Sequence, residues 1–186
     1  MSEIGVLVSI ISLVVAVIAL IRSLCPPDKF ELSLKDPPFE DALVGNVQPQ
    51  TTSRFFHIIV KNKHKKTMAM NCKPYLISLK NKSTGRELVS TPVPLKWRGF
   101  PTPVADINPN GEFKFDAFHI DIGNPIPISF NAYIDSTALM PIANFPGKYR
   151  ATYRVTSSNF KKKEKSFEIN LSVNASEDYI KMEDGD

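Results

Sequence analysis

Few side chains in this sequence stand at spacings that do chemistry. Asp106-x-Asn108-x-Asn110-Gly111 matches the opening of a calcium-binding EF-hand loop. Such a loop closes on a bidentate Glu at its twelfth position, where this chain has Ala117. Helices should flank it, yet the flanking residues alternate as strands do. Pro109 at the second place and Gly111 at the fourth fit a type I turn instead. His57, His64 and His119 are the only histidines, none is paired at metal-ligand spacing, and no Cys-x-x-Cys occurs. Cys72 has no neighbouring base and reads as a buried structural thiol. There is no Gly-x-Ser-x-Gly elbow, no phosphate-cradling glycine loop and no dinucleotide fingerprint. The acidic residues are dispersed, so no carboxylate pair can be nominated. The sequence therefore predicts no catalytic residue, no metal and no cofactor, and a protein that is not an enzyme; the lesser alternative is an enzyme with a cryptic site, in which the fold brings His57 or His119 beside carboxylates such as Asp116 or Asp121.

The basic residues are more informative. Lys61, Lys63, Lys65 and Lys66 surround His64, and Lys161, Lys162, Lys163 and Lys165 form a second run. Nucleic acid is not the expected partner, because stacking aromatics are not interleaved with these runs and the net charge is only +4. If consecutive strands reverse direction, both runs lie at one end of the domain, where the chain enters it. Facing anionic lipid, each lysine is worth about 1 kcal/mol, or roughly 4 kcal/mol if half approach together. That energy would orient a domain already tethered. The alternative is that the lysines decorate two solvated hairpins.

The tether is the next element. Residues 4–21 carry no charge, and a helix of that length covers roughly 27 Å, close to the hydrocarbon thickness of a bilayer. Residues 1–25 are thus expected to be a retained N-terminal transmembrane anchor, with 26–29 as a linker begun by Pro26-Pro27. Lysine and arginine follow the helix at Arg22, Lys29 and Lys35 and are absent before it, which points to a single-pass protein with a cytoplasmic domain. The triplets at Asn81, Asn170 and Asn174 match the glycosylation pattern and would favour an extracytoplasmic receptor or adhesion domain. Small residues recur at Gly5, Ser9, Ser12, Ala16 and Ala19, within an arc of about 80°. Such a stripe permits close helix approach and hence a homodimer.

After residue 30 the pattern alternates. Strands are expected at 30–35, 54–61, 69–80, 86–90, 95–98, 112–120, 126–134, 148–156 and 165–173. Polar turns separate them, as at 82–85 and 108–111. Fifteen prolines and the lack of any 3.6-residue period exclude a helical body. An all-β antiparallel sandwich over 30–173 is the expected domain, and 174–186, with five acids against Lys181, the expected flexible acidic tail.

Gly147-Lys148-Tyr149-Arg150-Ala151 resembles the tyrosine corner of immunoglobulin-like sandwiches. Ala151 stands where that family has cysteine, so its inter-sheet disulfide is absent, and Trp97 is off the third strand. Residues 55–62 followed by Ala69-Met70-Asn71-Cys72, with the late Pro146-Gly147-x-Tyr149, are similar to uncharacterised prokaryotic, often archaeal, membrane-anchored sandwich domains. The likeness implies an immunoglobulin-like architecture and a membrane placement, not an activity. The expected function is a non-catalytic binding or scaffolding module at a membrane surface, with the lipid bilayer and a protein as partners.

Overall fold

A computed structural model describes residues 3–24, 29–44, 51–121, 147–171 and 180–185. One helix, α1 (Glu3–Leu24), precedes ten strands. Its apolar side chains, Leu13 and Val15 among them, stand exposed. Among the described residues, however, no helix is long and apolar enough to cross a membrane. This overturns the expected transmembrane anchor, and with it the single-pass membrane placement.

The body is mostly β. Its strands are β1 (Phe30–Val44), β2 (Thr51–Asn62), β3 (Ala69–Asn81), β4 (Glu87–Val89), β5 (Val93–Pro94), β6 (Ala105–Ile107), β7 (Glu112–Asp121), β8 (Gly147–Thr156), β9 (Lys163–Leu171) and β10 (Ile180–Asp184). They form two antiparallel sheets. One has the order β1-β2-β7; the other runs β10-β9-β8-β3-β4, with β5 and β6 also paired to β3. The strand expected at 126–134 lies outside the described residues.

Alternation builds the core. Phe56, Ile58 and Val60 of β2 point into it, and so do Tyr149, Ala151, Tyr153 and Val155 of β8. The ring of Phe115 on β7 meets that of Tyr153 on β8 at 5.8 Å, and Tyr153 meets Phe167 on β9 at 6.0 Å. These contacts join the two sheets across one apolar layer. Trp97 is fully buried there, bridging to Phe115 beside β7 and donating its indole N–H to the Cys72 carbonyl of β3 at 3.0 Å.

Several boundaries differ from the sequence expectation. β1 runs to Val44 because pairing with β2 resumes at Phe39 after an irregular stretch at Asp36-Pro37-Pro38. Asn110 has φ 55° at the third place of the 108–111 turn, which belongs to a type II turn, not type I. The expected flexible tail contains β10 instead, whose five residues pair with β9 from Leu171 to Phe167. Met182, buried at its centre, gives that strand its apolar contact. Met182→Ala should therefore lower stability by about 2 kcal/mol in chemical denaturation of the full chain. A loss under about 0.5 kcal/mol would show that β10 is not fastened by its core contact.

Candidate functional site

The two lysine runs occupy one end of the sandwich. Phe30, where the chain enters β1, pairs with Asn62 at the end of β2, and Lys73 near the start of β3 pairs with Thr156 at the end of β8. The loop 63–68 and the loop 157–162 thus leave the same edge of the core. Phe160 plugs between them, its ring 5.4 Å from Phe30 and 5.9 Å from His64.

Asn62 shapes the first loop. Its side chain is fully buried, and its Nδ2 donates to the carbonyls of Thr67 at 2.9 Å, Ile107 at 3.0 Å and Asn108 at 3.2 Å. Its Oδ1 accepts the His64 amide at 2.9 Å. His64 continues the pattern: its Nδ1 accepts the amides of Lys66 at 3.2 Å and Thr67 at 2.9 Å. An accepting Nδ1 places the ring proton on Nε2. The lysine loop is therefore a set of satisfied turns around two polar side chains.

Some of these lysines are already paired. Lys63 meets Glu31 at 2.6 Å, Lys162 meets Glu164 at 3.3 Å, and Lys165 meets Asp184 at 2.8 Å. The Lys63 ammonium holds the Glu31 carboxyl below its ordinary range. Lys65, Lys66 and Lys161 are exposed and carry no ion pair among the described residues, and half-buried Lys61 carries none either. Lys163 begins β9. An uncompensated positive surface remains, centred on Lys65, Lys66 and Lys161.

A second constellation lies on the outer face of β1-β2-β7; of its members, sequence reasoning joins only His57 and Asp116, on condition that the fold brings them together. Glu40 sits at its centre. Lys114 Nζ lies 2.8 Å from its Oε1, Lys35 contacts the same oxygen, and Arg98 Nη2 is 2.9 Å from its Oε2. His57, fully buried, has Nε2 3.4 Å from Glu40 and Nδ1 2.9 Å from Asp116. Neither contact is aligned along a ring N–H, so both are electrostatic proximity without a directed hydrogen bond. Arg98 also approaches Asp116 at 3.5 Å and lies over the Phe55 ring at 5.5 Å. Hydrogen bonds from Lys114 and Lys35, with the Arg98 charge, pull the Glu40 carboxyl from 4.5 to about 2. A carboxylate held ionised so firmly is no general acid near neutrality. The arrangement joins β1, beyond its irregular stretch, to β2, β7 and the segment after Trp97. The sequence offers no signal for Lys35, Glu40, Arg98 and Lys114 as members, since the residues are scattered between positions 35 and 116.

The remaining candidates take structural places. Burial pushes the Cys72 thiol up to about 11, which makes it a poor nucleophile. Among the described residues no group of three His, Cys, Asp or Glu side chains can hold a metal. In the segment that opens like an EF-hand, Asp106 Oδ1 accepts the Asn71 amide at 2.7 Å and the Gly111 amide closes on the Asn108 carbonyl at 2.9 Å. Asn81 Oδ1 accepts the amides of Ser83 and Thr84, and its side chain hydrogen-bonds the Tyr149 hydroxyl, so it serves the β3–β4 hairpin. Asn170 lies in β9, and Asn174 falls outside the described residues. Ser9, Ser12 and Ala16 are exposed on α1, while the side chains of Gly5 and Ala19 lie outside those described.

No protein-family model matches this chain, and no curated protein matches it. Solved structures are similar to this chain, two of them as follows. The first is the X-ray structure of a Northeast Structural Genomics Consortium target, at 10% identity and a TM-score of 0.38, covering 78% of this chain and 89% of that one. The other is a family 123 glycoside hydrolase from Clostridium perfringens, at 13% identity and a TM-score of 0.39; the match covers 78% of this chain but 28% of the hydrolase. At such scores neither likeness carries an argument about activity.

Two outcomes test this geometry. Asn62→Ala leaves three carbonyls and one amide without their buried partner. It should cost about 2–3 kcal/mol in chemical denaturation and raise hydrogen exchange at the His64 amide. Exchange unchanged at that amide would refute the hub. Glu40 has a depressed pKa, so its stabilisation is complete above about 4.5 and is lost as pH falls toward about 2. Its side chain is 28% exposed, and screening reduces the effect to about 2 kcal/mol. Glu40→Gln should show that deficit at neutral pH and converge on the wild type near pH 2; a constant deficit across the window would refute the assignment.

Proposed function

We propose that this protein is a non-catalytic binding module that engages an acidic segment of a partner protein through the lysine-rich end of its sandwich. One observation carries the reading. Lys65 and Lys66 stand exposed on a loop whose backbone is fixed from beneath by Asn62 and His64, and Lys161 stands exposed on the neighbouring loop, which Ser157 and Asn159 tie to Met70; none of the three carries an ion pair among the described residues. Fixed loops lose little conformational entropy on binding, and like charges gathered on one face raise the encounter rate with an anionic partner. By contrast, the charges on the outer face of β1-β2-β7 are spent on one another.

The test is binding of a fluorescent oligoglutamate peptide to the full chain, followed by anisotropy at about 20 and about 150 mM salt, across which the Debye length falls to about 8 Å. Affinity should drop about tenfold with salt. The variant carrying Lys65→Gln, Lys66→Gln and Lys161→Gln should lose binding while keeping its denaturation midpoint. Equal binding by the variant, or none by the wild type at low salt, overturns the proposal.

A further inference from the structure

Beside these lysines the sandwich exposes two methionines on a backbone that is unusually well fastened. Met68 is 41% exposed and Met70 47%, while Ala69 between them is fully buried. Alternation sets both methionines on the outer side. A bulge then ends the run. β3 pairs with β6 at Ala69↔Ile107 and next at Cys72↔Ala105, so Met70 and Asn71 together oppose Asp106 alone. Asn71 takes φ 54°, a left-handed conformation that asparagine tolerates better than most residues. The bulge keeps Met70 outside and returns Cys72 to the core.

The backbone of this segment is held by side chains of the opposite loop. Asn159 Oδ1 accepts the Met70 amide at 2.9 Å, and Asn159 Nδ2 donates to the Met68 carbonyl at 2.8 Å. The Ser157 hydroxyl, at 2.9 Å, and the Ser158 amide, at 3.0 Å, both donate to the Met70 carbonyl. The Asn71 amide is bound by Asp106. Lys65 and Lys66 precede Met68 by a few residues, and Lys161 follows Asn159 by two. Two adaptable thioether side chains thus project from a fastened segment that ends in a bulge, with Lys65 and Lys66 on one loop beside it and Lys161 on the other, none of them ion-paired among the described residues.

We infer that Met68 and Met70 form the apolar floor of the binding surface, and that its occupant is an amphipathic acidic peptide segment, with carboxylates for the lysines and an aliphatic or aromatic side chain for the methionines. Unbranched thioethers fit apolar partners of varied shape. The lysines set the partner's sign of charge, and the methionines require that it bring apolar surface as well. This inference rests on the reading of the lysine-rich end as a binding surface and narrows the partner's chemistry.

The experiment compares three probes against the full chain: an acidic peptide with Leu and Phe interspersed, a peptide of equal charge with Ser at those places, and vesicles of phosphatidylcholine with phosphatidylserine. The Leu/Phe peptide should bind about tenfold more tightly than its Ser counterpart. Met68→Ser with Met70→Ser should abolish that difference, leaving the Ser peptide's affinity and the unfolding midpoint unchanged, since both side chains are exposed. If the difference persists in the methionine variant, the apolar floor is refuted while the charge reading stands. If Lys65→Gln, Lys66→Gln and Lys161→Gln leave every probe bound as before, the charge reading itself falls. Binding to the vesicles alone would refute a peptide occupant in favour of an anionic surface.

Discussion

A buried amide with four hydrogen-bonded neighbours governs the end of the molecule where partners are expected to meet it. The side chain of Asn62 is out of water, so each contact it makes with Thr67, Ile107, Asn108 and His64 replaces one that solvent would otherwise supply. It joins the close of β2 to the turn between β6 and β7 and to the basic loop. From that anchorage follow the placement of His64, the packing of Phe160 between the loops, and a defined path for Lys65 and Lys66 above the core.

The two charged regions divide the work. On the outer face of β1-β2-β7, Glu40 answers three cations, and buried His57 lies between two carboxylates. In that region the charges of Glu40, Lys35, Lys114 and Arg98 offset one another across strands, while buried His57 makes no directed hydrogen bond. At the basic end, acids neutralise Lys63, Lys162 and Lys165, but among the described residues not Lys65, Lys66 or Lys161. Leftover charge, and not total charge, separates the surface available to a partner from the surface that closes the fold.

Much of the strand content was legible because alternation is a local signal. β8 reads cleanly, since Tyr149, Ala151, Tyr153 and Val155 all face inward. The shared end of the lysine runs followed from counting reversals along the chain. Asn62 and Ala69 entered only through a family likeness, while Cys72 also read as a buried thiol; all three are fully buried, so that pattern is explained by packing. What stayed hidden was non-local. Glu40 meets Arg98 and Lys114 across long stretches of sequence, and Pro37-Pro38 masked the continuation of β1. The uncharged N-terminal run reads as a membrane span from composition, whereas α1 does not meet the length and apolarity such a span requires among the described residues. β10 was missed because its acidic residues, Glu183 and Asp184, are exposed and dominate the composition beside buried Met182.

The position of β3 also has a temporal consequence. On one flank it pairs with β8, which begins only at Gly147, and elsewhere with the short β4, β5 and β6. As the chain leaves the ribosome, β3 is synthesised some seventy residues before its main partner. During that interval its hydrogen-bonding edge has no long described strand to pair with. Contacts so distant in sequence form slowly, because loop closure must precede their stabilisation. The larger sheet is therefore assembled from its middle only once most of the polypeptide exists, which makes the nascent protein's exposure to wrong pairings a property of its topology.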